Sequence, residues 1–205
     1  MQQENTAILT VDLHHGHLDP EIATLPVPVE TGQQVVEHAR QLLSRAREAG
    51  YPIIHVTTGY RNAQEILANP KWSETEESDG STRESISEHN ISGSKGLEIL
   101  PDLRDDEHDI FLKPKKRYSP FMGTDLEFLL QTHNIDCLVI AGVNTNTCVQ
   151  NTCFEATNRD LEVVVVEECV GSMDGEEFHE FGLMNIDQAL GAVHSLEDTL
   201  AELDA

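Results

Sequence analysis

The segment "CLVIAGVNTNTCVQNTCFEATNRDLEVVVVE" at residues 137–167 decides the fold, because it predicts a strand, a turn, a helix and a second strand in succession. The apolar runs at 137–143 and 161–167 are rich in β-branched residues, which is typical of strands buried on both faces. Between them Val149, Cys153 and Ala156 share one helical face. Strands that alternate with helices predict parallel pairing in a covered sheet.

The rest of the chain repeats this alternation. Apolar runs predict further strands at 7–11 and 52–57, and a weaker one at 109–113. Helical spacing is found at 31–50, where Gly50 supplies a stop, and at 125–134. Residues 185–203 space their apolar side chains as one helical stripe. The sequence therefore predicts a three-layer α/β fold with a mostly parallel central sheet, and 205 residues suit a single domain over 1–205.

The charge balance is strongly acidic. The chain has 13 Lys+Arg against 37 Asp+Glu, so that 13 − 37 gives a formal net charge of −24. This charge would repel nucleic acid and anionic membranes. Because the acids are scattered over the whole sequence, we interpret them as adaptation to a saline cytoplasm, where salt screens their repulsion. An ordinary acidic cytosolic protein is the alternative.

Targeting and redox signals point to the cytoplasm. The first residues show no basic region followed by an apolar stretch, and no 18 apolar residues run together. We therefore expect a soluble, cytoplasmic protein. The four cysteines show no CxxC pairing, which argues against disulfides and against a thiolate zinc site. Residues 65–95 are polar, and we interpret them as a long surface excursion that forms a lid or an oligomer contact.

Candidate chemistry follows the predicted strands, because ligands of parallel sheets bind at the carboxyl ends of the strands. "VDLHHGHLDP" places Asp12 at the end of the first strand, with His14, His15 and His17 behind it. Asp12 is either a general base or a cap of the following turn. The three histidines form either a metal site or an ordinary loop, and the metal is the weaker interpretation because the cluster lacks a ligand from a structured element.

A basic cluster follows the strand at 109–113. "KPKKRYSPF" contains Lys113, Lys115, Lys116 and Arg117. In so acidic a chain, these residues either pair with acidic loops or supply a cation that lowers the pKa of a nucleophile or holds an anionic substrate.

Cys148 follows the strand at 137–143, where the next helix begins. The helix dipole and unpaired backbone N–H groups at such a corner favour a thiolate and form an oxyanion hole. Cys148 alone would more often be a small buried hydrophobe, as we expect for Cys137, Cys153 and Cys169.

The segments "ILTVDLHHGHLDP", "KKRYSPFMGTDLEFLL" and "LVIAGVNTNTCVQNTCFEATNRDLEVVVVEECVGS" together resemble the isochorismatase-like cysteine hydrolase family over most of the chain. The resemblance implies a Rossmann-like sheet and a catalytic triad of Asp12, Lys115 and Cys148. It also implies a cis peptide at Val143–Asn144 and an oxyanion hole formed by the backbone N–H groups of Asn144 and Cys148.

The same resemblance implies a hydrolase that cleaves a C–N bond of a small amide or ureido substrate. Members that hydrolyse isochorismate lack the cysteine, and nicotinamidases bind a metal through an Asp-x-His motif after the second strand. Here that strand leads into "HVTTGYRNAQE", so we expect no metal and no other cofactor. Arg61, Arg117 and Tyr118 are candidates for substrate binding, and each arginine could equally pair with a surface acid.

Two alternatives remain open at the level of sequence. One is a non-catalytic binding or scaffold protein of the same fold. The other is an isochorismatase-type or metal-assisted hydrolase in which His14 and His17 act with Asp12. By analogy with the family we also expect a homo-oligomer, either a dimer or a tetramer.

Overall fold

A six-stranded parallel sheet forms the centre of the molecule, and its strands lie in the order β3-β2-β1-β4-β5-β6. The computed structural model describes residues 3–78, 83 and 85–204. Within that part of the chain the strands are β1 (Thr6–Val11), β2 (Ile53–Val56), β3 (Ile110–Phe111), β4 (Cys137–Val143), β5 (Glu162–Gly171) and β6 (Ala192–His194).

Helices cover both faces of this sheet, as the alternation in the sequence predicts. They are α1 (His15–Leu18), α2 (Val29–Ala49), α3 (Ala63–Leu67), α4 (Pro70–Glu76), α5 (Leu126–Thr132), α6 (Gln150–Thr157), α7 (Glu176–Ala189) and α8 (Leu196–Leu203). Buried side chains of α2 and α8 share one apolar core with one face of the sheet. Those of α5, α6 and α7 share a second core with the opposite face. The three-layer α/β prediction is therefore confirmed.

The predicted helices and strands agree best with the structure where the chain is most buried. The strand predicted at 137–143 is β4 with the same bounds, and all seven of its residues are buried. The single C-terminal helix predicted over 185–203 is wrong, because the short edge strand β6 separates α7 from α8. The apolar residues keep a helical spacing on both sides of β6, because α7 and α8 each bury apolar side chains against the sheet.

The polar segment predicted over 65–95 is more structured than its composition suggests in the residues that are described, which leave out 79–82 and 84. It contains most of α3, the whole of α4 and a turn at Ile86–Glu88, and it buries Ile66, Trp72 and Ile86. The exposed residues of this segment are mostly charged or polar, so its composition predicts a solvent-exposed loop. Its buried apolar side chains nevertheless belong to one of the two hydrophobic cores. In the described part of the chain, no helix combines the length and the apolar character needed to cross a bilayer.

Gly142 allows β4 to approach β1 closely at the carboxyl edge of the sheet. Its φ is +139°, and a Cβ atom built there would lie 2.0 Å from the carbonyl oxygen of Val11. Val11 and Gly142 are paired in the sheet register, and each is followed within a few residues by a candidate site residue. Neither backbone can move away without breaking the pairing of β1 with β4.

We predict that Gly142→Ala destabilises the protein more than Gly123→Ala. Gly123 also has a positive φ, +77°, but its Cβ would meet nothing within 4 Å. Both substitutions carry a conformational penalty of about 1–2 kcal/mol, and only Gly142→Ala adds a backbone clash of roughly 1–3 kcal/mol. Urea unfolding of both variants measures the difference. Equal losses of unfolding free energy would show that the contact with Val11 does not matter.

Candidate active site

The candidate site lies at the centre of the sheet, where the strand order reverses. Strands β2 and β3 lie on one side of β1, and β4, β5 and β6 lie on its other side, so the strand order reverses between β1 and β4. Ligands of open parallel sheets bind at this switch point. Asp12 directly follows β1, and the turn of Thr145–Val149 that carries Cys148 follows β4.

The structure brings together the side chains of Asp12, Lys115 and Cys148. Lys115 Nζ lies 2.7 Å from Asp12 Oδ2 and 3.4 Å from Cys148 Sγ, and it also donates a hydrogen bond to Thr58 Oγ1. Asp12 and Lys115 are fully buried, and Cys148 is 7% exposed. The ammonium group therefore sits between the carboxylate and the thiol.

Lys115 reaches this position because its backbone continues the sheet beyond β2 and β3. Its N–H donates to the carbonyl of Thr57 at 2.9 Å, and its own carbonyl accepts from Gly59 at 3.1 Å. These bonds fix the lysine beside the segment that follows β2. Of the neighbouring basic residues, Lys113 is exposed and Lys116 donates to the carbonyl of Gly59. The structure therefore distinguishes Lys115 from the other lysines of the cluster.

Asp12 and Lys115 form a buried ion pair. Burial acts to raise the pKa of Asp12, but the charge of Lys115 and the proximity of His14 outweigh it and hold that pKa well below its ordinary value. Burial acts to lower the pKa of Lys115, and the negative charge of Asp12 outweighs it and raises that pKa. Both groups are charged at neutral pH, and Asp12 is free to accept a proton.

The Cys148 thiol differs from the expectation of a low pKa. Burial raises its pKa, Lys115 opposes this, and Asp12 adds to it through charge and a hydrogen bond. The ammonium is already neutralised by Asp12, so that it cannot stabilise a thiolate at full strength. The raised pKa therefore keeps Cys148 a thiol at neutral pH.

The turn after β4 has the expected backbone geometry. The Val143–Asn144 peptide is cis, and Thr145–Val149 forms a π-helical turn that leads into α6. Asn144 and Cys148 both line the cavity, and the Asn144 side chain accepts a hydrogen bond from the N–H of Met173 at 2.8 Å. An oxyanion hole built from the N–H groups of Asn144 and Cys148 stays a prediction.

A partly open cavity leads to Cys148, with an empty volume of about 440 Å³ that includes its mouth. One wall is aromatic: the rings of Tyr60 and Tyr118 lie edge-on to Trp72, at 6.3 Å and 5.7 Å between centroids. Two cations also line the cavity, Arg83 and Arg117.

The three candidates for substrate binding have different positions. Arg117 lines the cavity with its guanidinium 4.6 Å above the ring of Trp72, and Tyr118 lines it as well, its hydroxyl accepting from Trp72 Nε1 at 3.1 Å. Arg61 is not brought to the cavity. Its side chain is 80% exposed and pairs with Glu65, which is the alternative that the sequence left open for it.

The three histidines after β1 also have different partners. His15 Nδ1 lies 2.8 Å from Asp19, whereas the rings of His14 and His17 stack with centroids 4.8 Å apart. His89 joins these two, its ring centroid 4.7 Å from that of His17. Burial lowers the pKa of His17 to about 3 and holds that of His89 well below its ordinary value, so both rings are neutral. His17 and His89 line the cavity that holds Cys148.

Sequence reasoning missed several cavity residues. Thr58 could have been found, because it follows β2 as Asp12 follows β1. Trp72, Arg83 and His89 come from the polar segment 65–95, and no spacing in that segment indicates which side chains turn inward. Arg83 is held by Asp174 through two hydrogen bonds of 2.6 Å and 2.9 Å.

Comparison with known proteins identifies the family. The sequence model of the isochorismatase domain family matches residues 6–198. The chain therefore belongs to the isochorismatase family. Members of the family include amidohydrolases that act on C–N bonds.

Two relatives and one solved structure illustrate the proteins to which this chain is similar. The chain is 27% identical over 201 residues to a probable inactive nicotinamidase of Arabidopsis thaliana, covering 96% of this chain and 97% of the relative. It is 26% identical over 197 residues to maleamate amidohydrolase of Pseudomonas putida, covering 96% and 86%. A cysteine hydrolase from Pseudomonas syringae pv. phaseolicola has the same fold, with a TM-score of 0.86, 19% identity, and 100% and 94% of the two chains covered.

We predict that alkylation of Cys148 by iodoacetamide is slow at neutral pH and accelerates steadily as the pH rises. Below the raised pKa of a thiol, the thiolate fraction grows tenfold per pH unit. The measurement is the labelling rate from pH 6 to 9, with Cys148→Ser giving the background from the other cysteines. A rate that levels off near pH 7 would contradict the raised pKa.

Proposed function

We propose that this chain is a hydrolase that cleaves a C–N bond, in an amide or ureido group, of a small-molecule substrate. Cys148 is the nucleophile, Asp12 the general acid/base and Lys115 the stabilising cation. The observation that carries the proposal is the position of Lys115 Nζ, 2.7 Å from a buried carboxylate and 3.4 Å from a thiol at the end of a cavity.

The first half of the reaction forms an acyl-enzyme. Cys148 Sγ attacks the carbonyl carbon of the substrate, and the thiol proton passes to Asp12. Because the pKa of Asp12 is lowered and that of Cys148 is raised, the proton moves as the C–S bond forms and not before. Asp12 then gives this proton to the leaving nitrogen, and ammonia or an amine departs.

The second half releases the acid. A water molecule attacks the thioester, Asp12 accepts its proton, and the proton returns to sulfur as the C–S bond breaks. In both halves negative charge develops on the former carbonyl oxygen. The N–H groups of Asn144 and Cys148 are the proposed donors to it, and each such donor contributes about 3–4 kcal/mol to transition-state stabilisation.

The cavity favours a small substrate with a carboxylate. Arg117 lies at its wall, and a guanidinium binds a carboxylate through two parallel hydrogen bonds. Tyr118 and Trp72 supply flat apolar surface for a planar amide or ureido group. The similarity to maleamate amidohydrolase supports the same substrate class. Arg61 has no place in this proposal, because it points to solvent.

A non-catalytic binding protein is the second candidate. The similarity to a probable inactive nicotinamidase favours it. The intact constellation of Asp12, Lys115 and Cys148 favours catalysis, because a binding protein has no need of a buried ion pair beside a thiol.

We further propose that the protein self-associates and works in a saline cytoplasm. Self-association is supported by apolar side chains that α7 leaves 53–68% exposed, namely Phe178, Phe181 and Met184. The net charge of −24 supports the saline compartment, since screening by salt removes the repulsion between acidic surfaces.

We predict that Cys148→Ala lowers turnover at least 10⁴-fold, because the proposed acyl-enzyme forms on the Cys148 sulfur. The assay is release of ammonia from a panel of maleamate, ureidoacrylate, N-carbamoylsarcosine, biuret and nicotinamide. Cys153→Ala is the matched control, since Cys153 is buried in the core on α6, the helix that follows Cys148. Turnover that persists in Cys148→Ala would overturn the assignment, and no turnover of any substrate by the unmodified protein would favour a binding protein.

We predict that Arg117→Gln raises KM about 10- to 100-fold for a substrate with a carboxylate, because it removes a charge-assisted pair worth roughly 1.5–3 kcal/mol. An uncharged amide should show little change. Arg61→Gln is the control, because this arginine is exposed and pairs with Glu65. An equal effect of Arg117→Gln on charged and uncharged substrates would contradict carboxylate binding.

A further inference from the structure

A second group of side chains adjoins the cavity and has no role in the proposed reaction. One ring nitrogen from each of His14, His17 and His89 lies within 4.8 Å of the corresponding atoms of the other two. All three rings are buried. His14 and His17 follow β1, whereas His89 lies in the segment between β2 and β3.

Two of the rings are already oriented for a ligand. His17 Nδ1 lies 2.6 Å from the carbonyl of Leu25, which can only accept, so that the proton of this neutral ring is on Nδ1 and Nε2 keeps its lone pair. His89 Nδ1 is 2.9 Å from Thr24 Oγ1, which likewise leaves Nε2 as the atom for a ligand. Histidines that bind metals are held in this way, with the second nitrogen bonded to the protein.

The third ring has an unsatisfied atom. Nδ1 of His14 is buried and has no hydrogen-bond partner among the described residues, and the same is true of Asp12 Oδ1, which lies 3.6 Å from His14 Nε2. His14 Nε2 is also 3.0 Å from Asn90 Nδ2. Buried polar atoms without a partner are rare in folded proteins, so the unsatisfied atoms on the neighbouring side chains of His14 and Asp12 indicate a missing ligand.

We propose that His14, His17 and His89 form a binding site for one divalent transition-metal ion. Three imidazole ligands suit Zn²⁺ and its first-row neighbours, whereas Mg²⁺ and Ca²⁺ require oxygen ligands. Because His17 and His89 also line the cavity, the fourth coordination position opens toward the substrate space. A water molecule or a heteroatom of the substrate completes the coordination there.

The metal site is inferred without reference to the proposed hydrolysis, and metal binding is therefore measured without activity. Protein without an affinity tag is stripped with a chelator, dialysed, and titrated with Zn²⁺. We expect one equivalent to bind to the unmodified protein. Binding should weaken at least 100-fold in His17→Gln and in His89→Gln, with thermal melts showing that both variants fold. His15→Gln is the matched control, because His15 pairs with Asp19 outside the group.

Co²⁺ provides a second measurement that does not depend on these variants. The expected spectrum is that of tetrahedral Co²⁺ with nitrogen ligands, and it should persist in Cys148→Ser. A thiolate charge-transfer band that disappears in Cys148→Ser would overturn the proposal and move the metal to the cysteine. The proposal also fails if the unmodified protein binds neither ion, in which case water serves the unsatisfied atoms, or if His15→Gln weakens binding as much as His17→Gln.

Discussion

The buried ion pair between Lys115 and Asp12 is the interaction on which the site depends. Neither charge touches solvent, and removing one partner from such a pair leaves an uncompensated charge that destabilises a protein by about 3–5 kcal/mol. The pair therefore holds Asp12, which follows β1, against Lys115, which follows β3. Cys148 is placed against a cation whose charge is already neutralised, so that burial raises the pKa of the thiol and Lys115 opposes this only in part.

The sheet makes this arrangement possible at low conformational cost. Parallel strands end at one edge, so residues far apart in sequence, such as Asp12 and Lys115, come together without long supporting loops. The close approach of β1 and β4 at Gly142 sets the spacing between Asp12 and the turn that carries Cys148. Backbone geometry in the core of the sheet thus fixes how the candidate site residues are spaced.

The sequence revealed the parts of the molecule that follow simple physical patterns. Strands such as β4 were predictable because they are buried on both faces. Asp12 and Cys148 became candidates because each follows a strand, whereas only the family resemblance singled out Lys115 from the basic cluster. His89 and Arg83 were not, because they lie in a polar segment whose inward side has no period. The raised pKa of Cys148 escaped prediction as well, since it depends on burial and on the neutralisation of Lys115 by Asp12. The edge strand β6 was too short to interrupt the helical pattern around it.

The aromatic wall of the cavity has an optical consequence. The chain contains one tryptophan, Trp72, and it lies beside Tyr118 and beneath the guanidinium of Arg117. The fluorescence of an indole responds to nearby charge and to exclusion of water. The intrinsic emission of this protein therefore originates at the wall of one cavity, and the molecule carries a built-in reporter of whatever enters it.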